Sequence, residues 1–208
     1  MNINKLLGDY IPKEVVEYLN SIGKSKILSY NKLTEHYDKK SIYRKYISLG
    51  ETPKFNPQHP KSYMFSDNKY EISSILEQDA PPWIKEVISA IKNMDYRYNQ
   101  FVINLYNNGK DFMEAHSDCD ANMVQDYTIL IASFGASRTI QFTGRGGVTG
   151  KFSIETITHP LLKLNKFLNT SFRHEILRDD TKLPRVSVTA RMMLRGVEDS
   201  GDTQCRHL

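Results

Sequence analysis

The strongest constraint on the fold is a change in the period of hydrophobic residues near position 96. Before it, Ile84, Val87, Ile88 and Ile91 recur at helical spacing behind Pro81-Pro82. That pattern buries one stripe of a helix whose first turn tolerates proline. After it, Phe101, Ile103 and Leu105 alternate with Val102, Asn104 and Tyr106, and the run stops at Asn107-Asn108-Gly109. Period 2 followed by such a turn describes a strand and its end. From here the chain has to build sheets.

The later segments keep that rhythm. Residues 127–134 are apolar on both faces, as in a central strand. Residues 138–142 and 152–157 flank Thr143-Gly144-Arg145-Gly146-Gly147 and predict a hairpin. Residues 172–177 and 186–194 predict two closing strands, while 161–168 fits either helix or strand. Upstream, residues 11–23 predict a short helix with Pro12 in its first turn and Gly23 at its stop. Residues 24–78, broken by Pro53, Pro57 and Pro60, predict irregular chain. Short strands at regular spacing argue for a β-sandwich or barrel with helices packed outside.

The chain has 208 residues, 39% hydrophobic and 25% charged, enough apolar mass for one core and too much for a disordered chain. No run approaches eighteen apolar residues, and the first residues show no secretory pattern. Two cysteines, Cys119 and Cys205, exclude a disulfide scaffold and a four-cysteine zinc site. These features predict a monomer in an intracellular, reducing compartment with no membrane partner. The formal charge is +4, but residues 24–69 carry ten Lys/Arg against four acids, a local +6 that leaves −2 elsewhere. Tyr30, Tyr37, Tyr43, Tyr46 and Tyr63 lie within that stretch and Tyr70 follows it. Cations interleaved with rings suit a phosphodiester backbone with bases stacked beside it. They equally suit a solvated face with tyrosines packed beneath.

Three sets of residues are candidates for chemistry. In His116-Ser117-Asp118, strand geometry would project imidazole and carboxylate together, two-thirds of the facial triad that holds non-haem iron. A third imidazole must come from downstream. His174 sits inside a strand-like run, whereas His159 precedes a proline and reads as a loop residue. Arg185 and Arg191 in RVSVTAR share a strand face with Cα atoms about 20 Å apart. Leaning inward, they would grip opposite ends of a small dicarboxylate through planar forks. Asn104 and Tyr106 add neutral hydrogen bonds on one face of an earlier strand.

Taken in order, Asn104-x-Tyr106-x-x-Gly109, His116-x-Asp118, His174 and Arg185-x5-Arg191 resemble the AlkB family of Fe(II)- and 2-oxoglutarate-dependent dioxygenases. The resemblance spans about residues 101–195 and includes IASFGASRTIQF after the His-x-Asp motif. It implies an α+β chain with a double-stranded β-helix (jelly roll) core over 96–197. N-terminal helices and a nucleotide-recognition lid would occupy 1–95, within one structural unit, and a flexible tail 198–208. It further implies that His116, Asp118 and His174 bind Fe(II). Arg185, with Asn104 and Tyr106, would take the distal carboxylate of 2-oxoglutarate, and Arg191 would lie near its chelating end. Asp120 would contact the substrate base, with Tyr63 and Phe65 as candidates for stacking on it. The implied reaction uses O2 to demethylate N-alkylated bases of DNA or RNA, releasing succinate, CO2 and formaldehyde.

The chain departs from the family pattern at Cys119, where many relatives carry an acid, and a thiol there would be open to oxidation. Two other functions stay in view. One is a 2-oxoglutarate-dependent hydroxylase or demethylase of a protein or small molecule. The other is a nucleic-acid-binding module with no catalysis.

Overall fold

The computed structural model describes residues 3, 7, 11–22, 24–25, 44–50, 74–120 and 123–194. Tyr63, Phe65, Cys205 and most of the basic, tyrosine-rich segment lie outside them, as do the lid and tail expectations that rest on those residues.

The described elements run α1 (Lys13–Ile22), β1 (Lys24–Ser25), β2 (Lys45–Gly50), β3 (Ser74–Leu76), a 3-10 turn (Glu77–Asp79), α2 (Pro82–Met94), β4 (Gln100–Tyr106), β5 (Met113–His116), β6 (Thr128–Gly135), β7 (Thr139–Gly144), β8 (Lys151–Glu155), β9 (Leu161–Asn165), α3 (Lys166–Ser171), β10 (Phe172–Ile176) and β11 (Arg185–Arg191). Among the described residues, one sheet has the order β1-β2-β4-β11-β6-β9, with β3 beside β2, and a second has the order β5-β10-β7-β8. All pairings are antiparallel except β2 with β3. This is a mostly antiparallel, two-sheet architecture of the jelly-roll type.

The expected strands form where the periodicity places them, and the ambiguous 161–168 segment divides into β9 and the start of α3. Asn165 caps that helix, its side-chain oxygen accepting the Leu168 N–H at 2.9 Å. The reading of 24–78 as irregular is corrected by β1, β2 and β3. KYISLG carries too short an apolar pattern to announce a strand, and it is held by pairing with β4, fifty residues away, along Ile47↔Ile103 and Leu49↔Phe101. Ile47 and Leu49 are fully buried.

One apolar core joins α1 (Val15, Leu19), α2 (Ile84, Val87, Ile91) and both sheets. The described N-terminal elements therefore share the core of the strands. No helix among the described residues is long and apolar enough to cross a membrane.

β11 lies in the middle of the larger sheet, buried along its whole length. Its odd-numbered face is unusual. Arg185, Ser187, Thr189 and Arg191 are all buried there. Across the sheet, Ser187 is in register with both Asn104 and Ser133, Arg185 with Tyr106, and Arg191 with Gln100. The opposite face carries Val186, Val188 and Ala190, as expected of a core strand. Polar groups cost free energy in such a place unless they are hydrogen-bonded. A polar stripe on the inner face of a central strand marks where something other than hydrocarbon is held.

Candidate metal centre

His116 is the last residue of β5, and it faces His174 of β10 across the antiparallel pair. The rings lie 4.3 Å apart between centroids, tilted by 49°. A register irregularity between His174 and Ile176 bends the pairing beside them, a frequent device next to functional sites. His116, Asp118 and His174 each offer a ligand atom, and these atoms lie within 4.8 Å of one another. His116 Nε2 is 3.5 Å from Asp118 Oδ1. These three residues are able to bind a metal ion.

The reason Asp118 joins the pair differs from the one its spacing suggests. β5 ends at His116, so the two side chains are not strand neighbours at i and i+2. Asp118 is placed from elsewhere. The Arg191 guanidinium donates to its Oδ2 from Nε (3.1 Å) and Nη2 (2.8 Å). Its backbone is clasped by Asn169 of α3: the Asp118 N–H donates to Asn169 Oδ1 at 2.9 Å, and Asn169 Nδ2 donates to the Asp118 carbonyl at 3.0 Å. With Oδ2 taken by arginine, Oδ1 faces the imidazoles.

The imidazoles are prepared in the same way. His116 Nδ1 lies 2.8 Å from the Glu114 carbonyl. A carbonyl only accepts, so the proton sits on Nδ1 and the Nε2 lone pair points at the cluster, as is usual for metal-bound histidine. His174 is buried, and among the described residues its Nδ1 has no hydrogen-bond partner. Burial, reinforced by neighbouring His116, pushes its pKa down to about 3. Burial of Asp118 would raise its pKa, but Arg191 and the two imidazoles outweigh that and hold the carboxyl well below the usual carboxylate range. Neutral imidazole and ionised carboxylate are the forms a metal requires.

A pH dependence follows. The His174 pKa is near 6.5 when unfolded and is depressed in the fold, so its contribution to stability is complete above pH 6.5 and shrinks as pH falls below it. The metal-free protein should lose stability between pH 6.5 and 5 with an added slope of up to about 1.4 kcal/mol per pH unit. In His174→Gln that added slope should vanish. Urea midpoints measured from pH 5 to 8 for both proteins check this, and parallel profiles would contradict it.

Asn169 carried no signal in the sequence, because one asparagine in a short helix reads as surface. It is buried, and its amide also donates to Tyr127 Oη at 2.9 Å. Tyr127 in turn donates to Asp120 Oδ2 at 3.1 Å. Asp118 and Asp120 are thus tied to one amide. Substituting Asn169 with alanine should weaken metal binding about 10- to 100-fold, the usual effect of losing a group that orients a ligand. Competition against a chelating dye measures it, and unchanged affinity would show that Arg191 alone suffices.

At the far end of the polar stripe, Arg185 is fully buried and donates from Nη2 to Ser133 Oγ at 2.8 Å. Its Nε and Nη1, the Tyr106 hydroxyl and Asn104 Oδ1 make no well-formed hydrogen bond among the described residues. Asn104 Nδ2 reaches Ser187 Oγ at 3.4 Å, and turning the amide would exchange its donor and acceptor. The Arg185 guanidinium lies 5.1 Å from the Tyr106 ring centroid, and that of Arg138 lies 5.8 Å from it. Arg138 is committed elsewhere: it donates to the carbonyls of Asn108, Gly109, Asp111 and Leu177 and its Nε lies 2.8 Å from Asp179 Oδ2. It fastens the turn after β4. Gly109 in that turn approaches Asp179 so closely that a Cβ would collide with it. Burial first, and then Arg138, lower the Arg185 pKa, partly offset by Tyr106.

The expected twin-arginine grip is corrected in one respect. Arg191 is engaged with Asp118 and, at 3.3 Å, with Gln100, whereas Arg185 keeps free donors. Six residues apart on one strand, the two arginines stand at opposite ends of the stripe and perform different tasks. Three other expectations resolve simply. His159 is exposed beside Thr158, 2.9 Å from its hydroxyl, outside the cluster. Asp120 is half-buried next to the centre. Cys119 is half-buried beside Asp118.

No family model matches the chain, and no curated protein matches it. Among solved structures, the one described as "The structure of OsALKBH1" aligns with 86% of this chain and 90% of its own, at 13% identity and a TM-score of 0.44. The reading of the His116–Asp118–His174 cluster and of Arg185 rests on their own geometry.

Proposed function

We propose that the chain is an Fe(II)- and 2-oxoglutarate-dependent dioxygenase that demethylates N-alkylated bases of nucleic acid. The observation that carries the reading is a two-histidine, one-carboxylate cluster held by Arg191 at one end of the polar stripe, with a buried arginine, Arg185, at the other end. Such a ligand set leaves positions open on non-haem iron, and a buried guanidinium is the group best suited to receive a carboxylate. Bound together, Fe(II), 2-oxoglutarate and O2 supply oxidative hydroxylation of a C–H bond, with succinate and CO2 as products.

The residues of the chain have separate parts in this. His116, Asp118 and His174 would hold the metal. Arg185 would take the distal carboxylate of 2-oxoglutarate with two parallel hydrogen bonds, Tyr106 adding a third and Asn104 a fourth. Arg191 would hold Asp118 in its single-oxygen pose and present charge to the chelating end of the cofactor. Asp120, fixed by Tyr127, would meet the base, and a base paired in a duplex would first have to leave the stack. Nucleic acid is supported as substrate by the ordered motifs and by the +6 charge and tyrosines of residues 24–69.

The test is a panel of N-methylated DNA and RNA oligonucleotides incubated with Fe(II), 2-oxoglutarate and ascorbate, with formaldehyde and strand mass as readouts. Loss of methyl with matching formaldehyde is the expected result. Succinate release driven by a peptide or a small metabolite, with every strand inert, would instead favour a hydroxylase of that class.

A further inference from the structure

The smaller sheet carries the two metal-binding imidazoles in a row of rings that continues to the surface. Cross-strand register places His116 opposite His174, His174 opposite Phe142, and Phe142 opposite Phe152. Phe142 lies 6.0 Å from His174 between centroids and stacks on Phe152 at 4.6 Å, nearly parallel at 7°. Phe142 is buried, but Phe152 is 40% exposed. Phe172 packs edge-on against Phe152 at 5.3 Å, and Phe167, 60% exposed at the start of α3, packs edge-on against Phe172 at 6.4 Å. Contiguous exposed aromatic surface of this kind marks a site of interaction.

Its surroundings are cationic. Residues 143–173 contain five Lys/Arg and one acid, Glu155. Arg145, in the glycine-rich turn, donates at 3.0 Å to the hydroxyl of Ser117, which stands between two metal-binding residues, and Ser117 in turn donates to the Phe172 carbonyl. Lys166 is exposed next to Phe167. The rim is thus a set of accessible rings with Arg145 and Lys166 beside them.

We infer that this rim, Phe152 and Phe167 with Arg145 and Lys166, binds the single-stranded nucleic acid flanking the base that enters the metal centre. The inference rests on the demethylase reading and assigns it a strand-binding surface. Unpaired bases stack on the exposed phenyl faces while the cations meet phosphates, a sequence-tolerant mode in which each stacked base has a measurable share of the affinity. A duplex, whose bases are already stacked, lacks the faces this rim would use.

Fluorescence anisotropy of a labelled, unmethylated single strand of about 16 nucleotides, titrated with metal-free protein, reads this surface without turnover. Phe152→Ala and Phe167→Ala should each weaken binding about tenfold, and Phe167→Trp should bind at least as well as the parent. Lys166→Gln should reduce the slope of log affinity against log salt by about 0.7. Phe167 is mostly exposed, so its variants should melt with the parent. Equal binding by the parent and both alanine variants would overturn the surface, as would parental binding of the matching duplex at equal strength. A parent protein that demethylates strands while the alanine variants bind them unchanged overturns the surface alone. A parent that binds strands through these rings but removes no methyl group overturns the demethylase reading and supports the surface.

Discussion

Replacing Arg185 with methionine is expected to raise the melting temperature of the metal-free protein and, at the same time, to abolish its response to 2-oxoglutarate. The guanidinium is completely buried. Among the described residues it donates a well-formed hydrogen bond to Ser133 and interacts with Tyr106, while Nε and Nη1 make no well-formed bond there. A charge in that condition costs folding free energy, and apolar side chains of similar volume stabilise buried ionic sites by about 1–4 kcal/mol. For a chain of this length each kcal/mol moves the melting temperature by about 2–4 °C. The same substitution removes the donors that would grip a carboxylate. Charge-assisted hydrogen bonds are worth about 1.5–3 kcal/mol each, so 2-oxoglutarate affinity should fall at least about 100-fold. Arg185→Lys keeps charge but not the fork and should fall in between. Thermal melts, with and without 2-oxoglutarate, read both effects. A methionine variant that melts well below the parent would mean that Arg185 is structural, and the receptor reading would fail.

Asp118→Ala should have the opposite signature, losing function and stability together. Asp118 and Arg191 are both buried and joined by two hydrogen bonds to one carboxylate oxygen. Removing the carboxylate strands the guanidinium, an error that costs about 3–5 kcal/mol, or roughly 6–20 °C in melting temperature. Metal binding should disappear with the ligand. Asp118→Asn, which retains an acceptor for Arg191, should recover much of the stability but little of the metal affinity. If alanine at 118 left melting unchanged, the ion pair would not be a feature of the folded protein. The contrast between Arg185 and Asp118, one buried charge at each end of the stripe's reach, separates a receptor from a clamp.

The sequence made the strands of the core legible because period-2 burial is local. Phe101, Ile103 and Leu105 repeat in β4, and RVSVTAR alternates in β11. It also made visible the residue types of the site, since His, Asp and Arg are costly to bury without purpose. How those residues are held was not legible. β2 is a strand because β4 lies beside it, and KYISLG alone does not say so. The proximity of His116 and Asp118 looked like strand alternation, yet Asp118 lies beyond β5 and is clasped by Asn169 from 51 residues downstream. Ser133 and Gln100 pass for ordinary strand residues until register aligns them with Ser187 and Arg191. Arg191 resembled a second carboxylate hook, and only the fold shows that its partner is a side chain of the same protein.

The central claim is that His116, Asp118 and His174 form a single metal centre linked to the Arg185 pocket. Anaerobic calorimetric titration tests it most directly: Fe(II) first, then 2-oxoglutarate, on the parent, His174→Ala and Arg185→Met proteins. The account predicts one iron per chain in the parent and in Arg185→Met and none held tightly in His174→Ala. It predicts that 2-oxoglutarate binds tightly to the iron-loaded parent alone. Iron retained by His174→Ala, or 2-oxoglutarate bound equally well by Arg185→Met, would contradict it.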